Sequence, residues 1–218
     1  MRPLPTDALL VIDLQNDFCP AVNGIGGALA VADGDTIIPT INALAKKFEH
    51  VILTQDWHPP AHISHADTHG KQPYETIDLP YGPHTITQTL WPVHCVQNTP
   101  GAAFHPGLSI PHAELILRKG FHPHIDSYSA FLENDHFTPT GLSGYLHERN
   151  LTRLFLCGLA YDFCVRYSAI DGRQLGFEII VLEDATRPVN LPGSVAETDA
   201  ALAEAQVQRI HSAALLAQ

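Results

Sequence analysis

A cysteine at a strand-to-helix turn is the residue of this sequence best suited to chemistry. The stretch LFLCGLAYDFCV spans residues 154–165. Cys157 lies inside its apolar run, whereas Cys164 follows a glycine, a small residue and an acid. A helix N-terminus and a nearby lysine both lower a thiol pKa. We therefore expect Cys164 to be a nucleophile, with a structural core cysteine as the alternative. For the other three cysteines we expect a structural role in the core: Cys19, Cys95 and Cys157.

An acid and a lysine end two other apolar runs, ALLVIDL and ELILRKG. Asp13 lies at the end of an apolar strand, where burying an unpaired carboxylate would be unfavourable. We therefore expect Asp13 to be a base. The alternative is that its side chain caps the following turn. Lys119 could extend to solvent, but beside a carboxylate and a thiol it would tune the pKa of both. Asp13 and Lys119 therefore join Cys164 as candidate catalytic residues.

The segments TQDWHPPAHISHADTHG and WPVHC contain candidate metal ligands. Asp56 and His58 are two residues apart, so on an extended segment both side chains point the same way. His94 would complete a three-ligand site with open positions, a set that suits Zn or Fe(II). Hydrogen bonding within a loop is the alternative for a lone Asp-x-His pair. Three further histidines are rival ligands: His62, His65 and His69.

Five short, nearly continuous apolar runs predict strands buried on both faces of a parallel sheet. They are ALLVIDL (8–14), HVILTQD (50–56), ELILRKG (114–120), RLFLCGL (153–159) and FEIIVLED (177–184). Segments of helical periodicity lie between several of them, which predicts a doubly wound α/β fold. Ligand sites of such sheets collect outside the carboxyl ends of the strands. Four candidate residues lie at or shortly after these ends: Asp13, Asp56, Lys119 and Cys164.

The length of 218 residues suits a single domain over 1–218, because cores generally stop growing beyond about 250 residues. Residues 57–113 are too long for an ordinary connection. They contain both tryptophans and the compact run LWPVHCVQNTPGAAFHPGL, which favours order. We therefore expect a metal- and substrate-binding excursion over the site.

Charge and hydropathy exclude two classes of partner. The formal net charge is −11 and the twelve Lys and Arg residues are spread along the chain, which argues against nucleic acid. No apolar run approaches the ~20 residues of a membrane helix, and the first residues do not resemble a signal peptide. We expect no membrane partner, a cytoplasmic location and reduced cysteines. A homo-oligomer is compatible with the sequence.

Several ordered blocks of the sequence resemble one known family. They are LLVIDLQNDFCP, TQDWHP, HIS, LWPVHCVQNTPGAAFHP, KG with DSYSAF, CGLAYDFCV and AIDGRQLGFEIIVLEDATRPV. Over about residues 8–190 the chain is similar to the nicotinamidases and pyrazinamidases of the isochorismatase-like hydrolase superfamily. The resemblance implies a three-layer α/β/α fold with a six-stranded parallel sheet. It also implies a catalytic triad of Cys164, Asp13 and Lys119, the same three residues that lie at or shortly after the ends of predicted strands.

The resemblance further implies one divalent metal ion per chain, bound by Asp56, His58 and His94. Zn or Fe(II) is expected there, with Mn as an alternative. Some members of the family add a histidine from the segment after the Asp-x-His motif. His62 would then be a fourth ligand or a partner of a ligand.

An oxyanion hole is implied at the backbone N–H groups of Ala160 and Cys164, with a cis peptide bond between Leu159 and Ala160. The implied substrate pocket has five lining residues: Phe18, Trp91, Tyr128, Leu159 and Tyr161. The family usually has Thr where this chain has Tyr161. That departure leaves the triad untouched and puts the substrate range in question.

The activity implied by the resemblance is hydrolysis of nicotinamide to nicotinate and ammonia, a step of NAD salvage, and of pyrazinamide to pyrazinoate. One alternative is a cysteine hydrolase of the same fold that acts on another small amide, a carbamoyl compound or a vinyl ether. Cys164 counts against the vinyl ether, which needs no thiol nucleophile. Another alternative is a catalytically inactive metal-binding protein.

Overall fold

A computed structural model describes residues 1–217, and for His84 the backbone alone. The strands of this part of the chain are β1 (Asp7–Ile12), β2 (His50–Asp56), β3 (Thr76–Tyr81), β4 (His84–Thr89), β5 (Leu115–Lys119), β6 (Arg153–Leu159), β7 (Glu178–Arg187) and β8 (Gln208–Ile210). Its α-helices are α1 (Ile38–Ala45), α2 (Leu142–Glu148), α3 (Arg166–Gln174), α4 (Ser194–Glu204) and α5 (Ala213–Leu216).

Six strands form a parallel sheet in the order β5-β2-β1-β6-β7-β8. The predicted doubly wound sheet is confirmed. The five apolar runs correspond to β1, β2, β5, β6 and β7, with β7 extending further, to Arg187. The three-residue edge strand β8 was not among the predicted strands, because its sequence QRI carries no apolar run.

Alternate residues of β1 pack into two separate hydrophobic cores, as the pleat of a strand requires. Leu9 and Val11 lie in the core that α1 and α5 cover. Leu10 and Ile12 lie in the core that α2, α3 and α4 cover. This arrangement makes three layers, with every residue of β1 buried. None of the helices in the described part of the chain has the length and apolarity needed to cross a membrane.

The long segment between β2 and β5 folds into turns and an antiparallel hairpin of β3 and β4. In the hairpin Thr76 pairs with Thr89, and Tyr81 pairs with His84. Leu90 and Trp91, which follow β4, are buried. The excursion is therefore structured, as the tryptophans suggested, but the sequence did not predict its hairpin.

Gly158 allows β6 to approach β1 closely near the carboxyl edge of the sheet. Its φ is +107°, and a Cβ at this position would lie 2.1 Å from the carbonyl oxygen of Ile12. No L side chain tolerates both the conformation and the contact. The close pairing of these two strands therefore depends on glycine.

We expect Gly158→Ala to lower the free energy of unfolding by about 3 kcal/mol, because the strain at positive φ adds to a backbone overlap. Urea denaturation measures this change. Gly144→Ala is the matched control, since a Cβ at this exposed helical position meets nothing within 4 Å. The control should gain about 0.5–1 kcal/mol. Equal effects of the two substitutions would contradict the constraint at Gly158.

Candidate active site

The carboxyl ends of four neighbouring strands bring the candidate residues together. Asp56 is the last residue of β2 and Lys119 the last of β5, while Asp13 directly follows β1. Cys164 lies in the π-helical turn Tyr161–Val165, between β6 and α3. Because β5, β2, β1 and β6 are adjacent in the sheet, all four side chains meet at one edge.

Lys119 is the centre of this group and is fully buried. Its Nζ lies 2.8 Å from Asp13 Oδ2 and forms a second ion pair with Asp56 Oδ1. The ammonium also donates to the Ser127 carbonyl at 3.1 Å and lies 3.4 Å from Cys164 Sγ. Burial alone would lower the pKa of Lys119, but the two carboxylates raise it well above its usual value. The lysine is therefore a permanent ammonium.

Asp13 is held by Thr54 as well as by Lys119. The Thr54 hydroxyl donates to Asp13 Oδ1 at 2.5 Å, and the Asp13 N–H donates to the same hydroxyl at 3.2 Å. Burial raises the pKa of Asp13 to about 6, with Asp56 adding to the rise and Lys119 and Thr54 opposing it. At neutral pH the carboxylate is therefore mainly ionised, but close to the pH at which it takes up a proton.

The Cys164 thiol differs from the sequence-based expectation of a lowered pKa. Burial raises its pKa well above the usual value, and Asp13 and Asp56 raise it further, although Lys119 acts in the expected direction. Only 5% of the residue is exposed. The resting group is therefore a thiol, and forming the nucleophile requires a base beside it. Asp13 is positioned for that transfer.

The second cluster is formed by Asp56, His58 and His94, whose donor atoms lie within 4.8 Å of one another. Asp56 Oδ2 lies 3.6 Å from His58 Nε2 and 3.9 Å from His94 Nε2. The Nδ1 atoms of the two histidines are within 2.8 Å of the carbonyls of Gly120 and Pro92. A carbonyl accepts the Nδ1 proton, so each Nε2 keeps its lone pair for a metal.

The charge of the site also suits a cation. Asp13, Asp56 and Lys119 are all buried, and together they carry a net charge of −1 when ionised. Burial would raise the pKa of Asp56, but Lys119 and His58 lower it. Burial would lower the pKa of His58, but Asp56 raises it. The lone pairs, the carboxylate and the uncompensated charge fit a divalent metal at this position.

His62 is not available as a further donor in the way the resemblance implied. Its Nε2 lies 3.0 Å and 3.2 Å from the carbonyls of His122 and Ile125, and its Nδ1 lies 2.8 Å from the Ser64 hydroxyl. Its ring stacks on that of His58, with centroids 4.2 Å apart. This arrangement favours the alternative in which His62 supports a ligand residue. His69, another rival, has Nε2 2.7 Å from the Ile63 carbonyl.

A small cavity opens beside the two clusters. Its wall has eleven residues: Phe18, Leu29, Asp56, Trp91, His94, Asp126, Tyr128, Ala160, Phe163, Cys164 and Val189. The wall includes the predicted aromatic residues Phe18, Trp91 and Tyr128. The thiol and two of the candidate metal ligands face the same space, which is narrow and largely aromatic.

Two residues assigned to the pocket from the sequence do not line it. The Leu159 side chain packs in the core that α1 covers, where its Cδ1 would lie 3.1 Å from a Cβ at Gly34. The Tyr161 side chain lies on the other face of the sheet, where its hydroxyl donates to Asp199 at 2.5 Å and accepts from Arg209 at 3.1 Å. Tyr161 therefore anchors the turn to α4 and β8.

The peptide bond between Leu159 and Ala160 is cis, as the resemblance implied. Ala160 lies in the cavity wall, and its carbonyl accepts the N–H groups of Phe163 and Val165. These hydrogen bonds fix the turn that carries Cys164. The backbone of Ala160 and the thiol consequently border the same space.

Two glutamines also contribute to the site, and the sequence did not predict either of them. The Gln15 amide clamps the backbone of Asp56, donating to its carbonyl and accepting from its N–H, both at 2.8 Å. From the hairpin, Gln88 Nε2 lies 3.2 Å from Asp126 Oδ2 and 2.9 Å from the Tyr128 hydroxyl. No strand end or motif marks these polar side chains, whose role depends on contacts between distant segments.

Together, the doubly wound sheet and the thiol, carboxylate and ammonium at its carboxyl edge define an α/β protein of the cysteine hydrolase class. The profile of the family described as Isochorismatase domain matches residues 7–211. The chain therefore belongs to the isochorismatase domain family.

A curated relative, named nicotinamidase, comes from Acinetobacter baylyi. It is 50% identical over 217 residues, which is 99% of this chain and 97% of the relative. Among solved structures, one described as a nicotinamidase and pyrazinamidase of Acinetobacter baumanii is 53% identical, with a TM-score of 0.92 over 98% of this chain and 99% of that one.

Two further solved structures are described with a bound species. PnC1 from L. infantum, in complex with nicotinate, is 37% identical with a TM-score of 0.83 over 99% of this chain and 98% of that one. The pyrazinamidase of Pyrococcus horikoshii, in complex with zinc, is 33% identical with a TM-score of 0.75 over 95% and 99%.

The position of Tyr161 predicts an energetic coupling to Asp199. In a double-mutant cycle of Tyr161→Phe and Asp199→Ala, we expect a coupling of about 1 kcal/mol in the free energy of unfolding, because both single variants remove the same hydrogen bond. Urea denaturation of the four proteins measures it. Strictly additive effects would show that the hydroxyl and the carboxylate do not interact.

Proposed function

We propose that this protein hydrolyses nicotinamide to nicotinate and ammonia, and pyrazinamide to pyrazinoate. The observation that carries the proposal is the cavity in which Cys164 faces the metal-ligand candidates Asp56 and His94. A flat ring with a carboxamide at one edge and a ring nitrogen at the other fits this arrangement. The names of the similar proteins support the same substrates.

The proposed catalytic groups are Asp13, Lys119 and Cys164. Asp13 takes the thiol proton while Lys119 stabilises the negative charge of both groups, and the thiolate attacks the carboxamide carbon. The backbone N–H groups of Ala160 and Cys164 receive the developing oxyanion, a contribution of about 3 kcal/mol per donor. Asp13 then protonates the departing ammonia. Water, deprotonated by Asp13, cleaves the thioester to release the acid and restore the thiol.

The proposed metal ligands are Asp56, His58 and His94. Zn or Fe(II) suits one carboxylate and two imidazoles, with Mn as an alternative. When bound, a divalent ion supplies a Lewis-acidic position for the ring nitrogen of the substrate. The chain itself positions the ring between Phe18, Trp91 and Tyr128. This geometry would present the carboxamide to Cys164.

Cys164→Ala should lower kcat for ammonia release from nicotinamide by at least about 10⁴-fold while nicotinamide still binds, because the covalent step loses its nucleophile. Coupled ammonia detection and calorimetric binding measure the two effects. Cys157→Ala is the matched control, because Cys157 is buried in β6 away from the cavity. The control should keep its turnover. Undiminished turnover by Cys164→Ala would rule out this mechanism.

The fall of kcat/KM on the acidic side of its pH profile should reflect protonation of the Asp13 carboxylate. Its pKa is raised to about 6, so the carboxylate is present above this pH and is lost as the pH falls through it. We therefore expect kcat/KM to decline below about pH 6. Thr54→Val removes a hydrogen bond that lowers this pKa, so the limb should move up by roughly 0.5 to 1 unit. A limb that stays in place in Thr54→Val would assign it to another group.

His94→Ala should abolish stoichiometric binding of Zn²⁺, because only one imidazole and one carboxylate of the proposed set remain. Elemental analysis after dialysis measures the metal content, with one equivalent expected for the unchanged chain. His69→Ala is the control, since His69 contacts a backbone carbonyl instead. Equal metal content in both variants would contradict the ligand assignment.

A further inference from the structure

Asp162 is a buried carboxylate beside the nucleophile that the proposed mechanism does not use. It lies in the π-helical turn Tyr161–Val165, two residues before Cys164, and only 1% of the residue is exposed. A buried carboxylate is unfavourable unless hydrogen-bond donors or a cation satisfy it. The groups that bond to Asp162 therefore indicate what it does in the structure.

Three hydrogen-bond donors to the Asp162 carboxylate come from the segment that follows β7. The Val189 N–H donates to Oδ1 at 2.8 Å, and the Asn190 N–H donates to Oδ2 at 2.9 Å. The hydroxyl of Ser194, the first residue of α4, donates to Oδ2 at 2.5 Å. Asp162 therefore ties the turn that carries the nucleophile to the loop 188–193 and to the start of α4.

The loop 188–193, of sequence PVNLPG, connects β7 to α4 and cannot form many backbone hydrogen bonds of its own. Two of its six residues are prolines, which have no N–H to donate. Asn190 and Gly193 have positive φ values of +64° and +85°, so the loop contains sharp turns. The Leu191 carbonyl accepts the Ser194 N–H at 3.0 Å, a bond local to the loop and α4. The Asp162 carboxylate is the anchor that connects this loop to the nucleophile turn.

Val189 brings the loop into the wall of the cavity. Its side chain lines the cavity together with Phe163 and Cys164 and packs against the core that α1 covers. The N–H of this same residue donates to Asp162, so the hydrogen bond fixes the residue whose side chain faces the ligand. Because protein interiors are densely packed, a displacement of Val189 by about the width of a methyl group changes which rings the cavity accepts.

We propose that Asp162 is a positioning residue for substrate selectivity. It holds Val189 at a fixed depth in the cavity wall, and the wall excludes amides whose ring carries an added methyl group on that side. This inference rests on the substrate pocket of the proposed function. Asp162 acts through Val189 and takes no part in the covalent steps.

The four nicotinamides that carry one methyl group on a ring carbon test the proposal. The measured quantity is kcat/KM for ammonia release from each isomer, divided by kcat/KM for nicotinamide. Val189→Ala should raise this ratio by roughly tenfold for at least one isomer, because one methylene in an apolar pocket is worth about tenfold or more. Asp162→Ala should raise the ratio for the same isomer by at least about threefold, since the released loop moves the same side chain.

Two further variants separate this role from a general loss of stability. Asp162→Asn keeps an oxygen for the Val189 N–H, so it should fold and show a smaller rise of the same ratio. Asp7→Ala is the matched control, because it removes a buried carboxylate that pairs with Arg153 at the opposite end of β1. The control should lower the urea midpoint and leave every ratio unchanged.

The double variant Asp162→Ala/Val189→Ala should have the same ratio as Val189→Ala, because the two residues act through one side chain. Independent, multiplying effects would overturn the proposal, as would a Val189→Ala variant that discriminates like the unchanged chain. An equal slowing of all five substrates in the Asp162 variants would overturn it too, since Asp162 would then support only the nucleophile turn. Failure of the unchanged chain to release ammonia from nicotinamide would refute the proposed function, and this inference with it.

Discussion

The ammonium of Lys119 is the interaction on which the site depends. It is buried beside two carboxylates and a thiol, and each of those groups comes from a different strand end. Removing a positive charge from such a position would leave two buried anions unpaired, at a cost of several kcal/mol. The strand order of the sheet is what allows one lysine to reach all three. The proposed catalytic residues and the proposed metal ligands are consequently joined, because Asp56, a proposed ligand, forms an ion pair with Lys119.

The same electrostatics explains why the thiol is not activated at rest. Lys119 lowers the thiol pKa, as expected, but full desolvation and two nearby carboxylates outweigh it. A buried site of this kind keeps the proton on sulfur until a base removes it. Storing the nucleophile as a thiol also limits oxidation, which follows thiolate character and exposure.

Much of the fold could be predicted from the sequence, because strands buried on both faces produce continuous apolar runs. Their ends placed Asp13, Asp56, Lys119 and Cys164 at one edge before any contact was known. The orientation of Tyr161 could not be predicted, since it depends on Asp199 and Arg209, far along the chain. Gln88 was also missed, because its partners come from a separate loop. Local sequence patterns predict the strands and their ends, whereas hydrogen bonds between residues far apart in the chain can be identified only from the three-dimensional structure.

Two kinds of structure supply the residues of the site: the excursion that contains the β3–β4 hairpin, and the carboxyl edge of the parallel sheet. Gln88 and Trp91 reach the cavity region from this excursion, whereas the acid, the lysine and the thiol come from the sheet edge. The hairpin is a separate two-stranded sheet, and its Gln88 contacts Asp126 and Tyr128 of the cavity wall. A substitution in the hairpin can thus alter the cavity wall through the contact of Gln88 with Tyr128, while the acid, the lysine and the thiol keep their places at the sheet edge.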